Sequence, residues 1–190
     1  MAKILLIDMC DPDLKILKEE FLRPYKDILD NENQDYDVIL CVDIKKCNLE
    51  LYDKVILTGT ALKDFKYINF QEDMNNFFAN YKKDFLAVCA GAQSYFSFLG
   101  IELIKNERIG AFKVNINVKD ILFQSEDLNL QYFLHSLSIE NLCPYLKCIA
   151  TLDDGSCVAF KSNSKNANQY CFMFHPEVRA QEIIRKFLKT

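Results

Sequence analysis

The sequence lacks tryptophan altogether and has only two histidines, His135 and His175, in 190 residues. So few imidazoles argue against a histidine-rich metal centre. The eight cysteines include no Cys-x-x-Cys pair, so no zinc site is expected. An excess of basic charge is missing too. Lys and Arg number 23 against 27 Asp and Glu, a net charge of −4, which excludes the basic surface that nucleic acid requires. No apolar run is long enough to span a membrane. The opening Met1–Asp8 is too short for a secretory segment and reads as a strand. The cysteines therefore read as reduced thiols in a cytoplasmic protein. Repeats, low-complexity segments and linkers are absent, and residues 1–190 read as one domain, large enough for a three-layer core.

What is present alternates between strand and helix. Lys3–Ile7, Asp37–Cys41 and Lys54–Leu57 are strand-like, and Phe85–Val88 is a short apolar run of the buried kind. Between them, Asp13–Tyr25 is amphipathic, with Leu14, Leu17 and Phe21 on one face, and Met74–Tyr81 is helical. This order implies a parallel sheet covered by helices. Later, Asn115–Val118 alternates polar and apolar, as an antiparallel or edge strand does. Asp153-Asp154-Gly155-Ser156 lies between two strand-like stretches as a hairpin turn. Lys161–Gln169 is a polar loop, and Glu182–Leu188 a closing helix.

The chemistry-bearing stretch begins where Phe85–Val88 meets Cys89-Ala90-Gly91-Ala92 and a helical Gln93–Leu99. A strand entering a helix through small residues is a nucleophile elbow, which exposes one side chain above the sheet. The helix N-terminus behind Cys89 favours a thiolate. Such a nucleophile needs a base. His175 ends the apolar run Phe172-Met173-Phe174, and Pro176 brakes the strand. Glu177, two residues on, is placed to hold the other imidazole nitrogen. Cys89, His175 and Glu177 form a candidate triad at the carboxyl ends of strands, where open α/β sheets place their sites. The other seven cysteines read as small buried hydrophobes.

Attack by such a nucleophile on a carbonyl also needs N–H donors for the oxyanion. One candidate is the amide of Ala90. The other lies in Thr58-Gly59-Thr60-Ala61 after the third strand, where an ordinary strand-end turn is an equal alternative.

Val88-Cys89-Ala90-Gly91-Ala92-Gln93 together with His175-Pro176-Glu177 resembles the class I, triad-type glutamine amidotransferases. The resemblance implies a flavodoxin-like, doubly wound α/β fold: a mainly parallel sheet, helices on both faces and an antiparallel extension. It implies hydrolysis of the glutamine side-chain amide through a Cys89 thioester, with no cofactor and no metal. A separate synthetase subunit would receive the ammonia. Gln93 matches the family glutamine that helps hold substrate. Gln131–Leu137 matches a histidine-serine motif in which backbone at Ser136 receives the substrate's α-carboxylate and His135 lines the pocket; a purely structural His135 is equally open. The oxyanion loop departs from the family, with Thr60 where glycine is usual, which restricts a peptide flip. Ala87 and Ala92 are smaller departures. The alternative readings are a hydrolase of another γ-glutamyl compound and a non-catalytic binding or regulatory protein of the same fold.

Overall fold

The computed structural model describes residues 2–123, 129–140 and 144–190. Five parallel strands form its centre: β1 (Lys3–Asp8), β2 (Asp35–Leu40), β3 (Lys54–Leu57), β4 (Asp84–Val88) and β10 (Gln169–Phe172), in the order β2-β1-β3-β4-β10. The sheet continues antiparallel through β9 (Cys157–Ser162), β8 (Leu146–Thr151) and β6 (Asn115–Ile116). The fold is thus the flavodoxin-like α/β arrangement with an antiparallel extension, as the sequence implies.

The continuous apolar runs explain the middle of the sheet. Ile4–Ile7, Val55–Leu57 and Phe85–Val88 are almost fully buried, and each large side chain there contributes about 1.5–3 kcal/mol. Alternation along the strands assigns the two faces. Lys54 and Asp84, paired across β3 and β4, meet helix α6 (Gln181–Lys189) and its terminal Thr190. Phe85, one residue on, packs against Phe78 and Tyr95 of α3 (Gln71–Asn80) and α4 (Ala90–Phe98). Helices therefore cover both faces.

Two elements differ from expectation. The first helical stretch extends well past Tyr25: α1 (Lys15–Leu17) passes through a π-helical turn at Lys18–Leu22 into α2 (Arg23–Asn31). Pro24 has no N–H to donate to the preceding turn, so the regular ladder breaks there. The second difference is a separate two-stranded ribbon of β5 (Leu103–Lys113) and β7 (Leu130–Ile139). It touches the main body through an isolated bridge from Phe133 to Phe174 and through His175 N–H donating to the Tyr132 carbonyl at 2.7 Å. That seam carries the Leu134–Ser136 segment to the carboxyl edge of the sheet. The short helix α5 (Pro176–Arg179) follows the seam.

The cysteines require one correction. Cys148 and Cys157 are not reduced thiols here: the β8–β9 hairpin, with its bulged register, brings them into a disulfide. Cys10, Cys41 and Cys171 are buried as expected, and Cys47 is half-buried. Cys143 lies outside the described residues. Among the described residues no helix is long and apolar enough to cross a membrane.

Candidate active site

Cys89 caps α4 with φ 47° and ψ −104°, a conformation an L-residue rarely adopts. Tertiary contacts hold it there. Its N–H donates to the Phe172 carbonyl at 2.8 Å, and the Gly91 N–H donates to the Thr58 carbonyl at 3.2 Å. Gly91 must be glycine: a Cβ would lie 2.6 Å from the Leu57 Cβ and 3.0 Å from its carbonyl oxygen. The small residues after Cys89 thus let α4 start directly against β3. The strain gathers at one cysteine.

His175 follows β10 on the neighbouring strand. Its Nδ1 pairs with Glu177 Oε1 at 2.7 Å, both side chains almost wholly buried. The ring packs beside Phe21 and Tyr132. Burial disfavours the imidazolium, but the Glu177 charge and the neighbouring Cys89 outweigh it, and the pKa is raised well above the ordinary value. The other ring nitrogen, Nε2, has no hydrogen-bond partner among the described residues. Gly59 packs between the two side chains: a Cβ there would be 2.4 Å from His175 Cε1 and 3.2 Å from Cys89 Cβ. The structure thus brings Cys89, His175 and Glu177 together.

The turn after β3 has a defined sense. The Gly59 carbonyl accepts a long hydrogen bond from Cys10 Sγ at 3.8 Å, on the β1 side of the turn. The peptide is trans, so the Thr60 N–H points away from that carbonyl, and Thr60 lines the same small cavity as Cys89 and Ala90. Ala90, at the first turn of α4, presents its N–H to the same space.

Gln93, His135 and Ser136 line this space, and the side chains of Gln93 and Ser136 are engaged within the protein. Gln93 accepts a short hydrogen bond from the Tyr67 hydroxyl and donates to the Leu137 carbonyl at 2.8 Å. Ser136 Oγ donates to the Leu62 carbonyl at 3.1 Å. His135 is buried in the wall; burial, then the positive charges of Arg108 and His175, push its pKa down to about 4, so it is neutral. The Cys89 thiol leans on the Leu134 carbonyl at 3.5 Å. The cavity left is only about 10 Å³, room for roughly one water and not for a glutamine side chain. An open groove of about 540 Å³ runs beside it along Ala61, Asp64 and Phe65, without a nucleophile.

Three residues at the site were not read from the sequence. Tyr25 donates its hydroxyl to Glu177 Oε2 at 2.7 Å, across 152 positions of chain. Burial and the Glu177 charge hold its pKa well above the usual phenol range, so it keeps that proton. Its spacing of four from Phe21 continues the apolar helix face and was the one available signal. Tyr67 and Asp64 carried none.

The family model for glutamine amidotransferase class-I matches residues 28–190. The chain belongs to that family. Among solved structures the fold is similar to a Thermoplasma acidophilum protein described as a GMP synthase subunit, with TM-score 0.83 and 19% identity over 100% of this chain and 93% of that one. It is also similar to a glutamine amidotransferase from Thermotoga maritima, with TM-score 0.70 and 16% identity over 100% and 82%. A glutamine amidotransferase from Methylobacillus flagellatus gives TM-score 0.65 and 12% identity over 100% and 75%. No curated protein sequence matches the chain significantly. At these identities the solved structures speak for the fold.

Proposed function

We propose that this amidotransferase is a glutaminase subunit working through Cys89, His175 and Glu177. The observation that carries the reading is the strained Cys89 set beside a buried His175–Glu177 pair. With its pKa raised, His175 takes the Cys89 proton as the sulfur attacks. Cys89 attacks the side-chain carbonyl of glutamine, and the oxyanion is met by the N–H groups of Ala90 and Thr60. His175 gives its proton to the departing ammonia and then takes one from the water that hydrolyses the γ-glutamyl thioester. Glu177 holds the ring in one tautomer and balances its charge, and Tyr25 holds Glu177. Gln93 and the backbone at Ser136 frame the substrate. None of these steps calls on a metal or cofactor.

The ammonia goes to a separate synthetase. The likeness to the Thermoplasma protein makes a GMP-forming synthetase the first partner to test. On this reading the Thr60 N–H faces Cys89, so a glycine-like peptide flip is not what limits the isolated protein. The closed pocket is. Low activity alone, raised by the synthetase, follows. The test is ammonia release from glutamine by wild type and Cys89→Ala, each alone and with the synthetase. Wild-type activity that vanishes in Cys89→Ala supports the reading. No ammonia under either condition leaves the non-catalytic alternative, and activity on another γ-glutamyl compound alone leaves the other.

A further inference from the structure

We infer that Asp64 is a positioning residue that fixes the Thr60 N–H for the oxyanion; the inference rests on the glutaminase reading above. The carboxylate is buried behind the turn. Its Oδ2 accepts from the Thr60 hydroxyl at 2.5 Å and from the Asp11 N–H at 2.8 Å, and its Oδ1 accepts from the Lys66 N–H at 3.0 Å. Its own N–H closes a turn onto the Ala61 carbonyl at 2.9 Å. Two backbone donors, one from the loop after β1 and one from the segment after β3, thus immobilise the carboxylate before Thr60 reaches it. The Thr60 side chain is held on one side of the loop while the Gly59 carbonyl is held by Cys10. With both ends of that peptide fixed, its N–H cannot turn freely beside the cavity that Thr60 shares with Cys89 and Ala90. Threonine at this position exchanges the freedom of a glycine for a tether, and Asp64 is where the tether ends. Each donor on the carboxylate also spreads its charge away from the oxyanion space.

Asp64→Asn removes the charge that strengthens the Thr60 hydrogen bond and sets an N–H₂ against a backbone N–H, of Lys66 or of Asp11, so the anchor of the tether is loosened. Glutaminase kcat should fall about 10²-fold, with KM for glutamine unchanged, because the loosened contact acts in the transition state. Alkylation of Cys89 by iodoacetamide, which forms no oxyanion, should keep its wild-type rate. Thr60→Val, which removes only the hydroxyl, should give the same kcat loss and stands in if Asp64→Asn does not fold. In a Thr60→Gly background, Asp64→Asn should change kcat little, since the tether is gone. Wild-type kcat in Asp64→Asn, or an equal loss in the Thr60→Gly background, overturns the inference and leaves the glutaminase reading standing. A wild type that releases no ammonia, alone or with synthetase, overturns both.

Discussion

Gly59→Ala adds one methyl group at the point where the nucleophile and the base meet. The added Cβ would stand 2.4 Å from His175 Cε1 and 3.1 Å from Nδ1, whereas ordinary contact begins near 3.4 Å. About 1 Å of movement is therefore required. The backbone of Gly59 is not left-handed, so the methyl's steric contact is the whole perturbation. The ring has little freedom to give way: Nδ1 is bonded to Glu177 at 2.7 Å, Tyr25 holds Glu177, and Phe21 and Tyr132 pack beside the imidazole. Overpacking of this kind costs about 1–3 kcal/mol in stability. A 1 Å misplacement of a reacting group costs about 10²-fold in rate. Urea unfolding and glutaminase kcat, measured on the same preparation, separate the two effects. The expectation is a folded variant with a modest loss of stability and a kcat lower by about 10². A kcat within a few-fold of wild type would refute the argument, because a displaced His175 would then be no handicap.

Tyr25→Phe leaves Glu177 Oε2 without its donor, so stability should fall by about 1–3 kcal/mol and kcat should fall with KM little changed; steady-state kinetics and urea melts check both. His135 titrates at about 4 when folded against 6.5 ordinarily, so its contribution is complete above pH 6.5 and is lost as pH falls towards 4. The loss is about 3 kcal/mol, read as the difference between wild type and His135→Leu in urea melts at pH 7 and pH 4. The Cys148–Cys157 bond closes a short loop, and reduction by dithiothreitol should lower stability by about 3 kcal/mol; an unchanged urea midpoint would mean that the pair is open in solution.

The parallel sheet was legible because its strands are buried on both faces and so read as unbroken apolar runs. The association of Cys89 with His175 was legible because the elbow's small residues and the His-Pro-Glu segment are local signals. Gly91 shows why: its smallness answers to Leu57, one strand away, yet it sits two residues from the cysteine. Contacts across long stretches of chain left no such mark. Tyr25 reaches Glu177 because α2 and the start of α5 meet in space. Asp64 looks like any loop acid until the Thr60 hydroxyl and two backbone amides converge on it. The disulfide depends on the register of one bulged hairpin, which spacing alone does not specify. Likewise the engagement of Gln93 and Ser136 with Tyr67, Leu137 and Leu62, which closes the pocket, is a matter of tertiary packing.

The most direct test of the central claim is covalent. A glutamine analogue carrying a diazoketone in place of the amide is incubated with the protein, with and without the synthetase, and the adduct is mapped by peptide mass spectrometry. The account predicts a single adduct on Cys89, suppressed by excess glutamine and absent in His175→Ala. Modification at Cys10, Cys41, Cys47 or Cys171 with Cys89 untouched, in the presence of the synthetase, would contradict it.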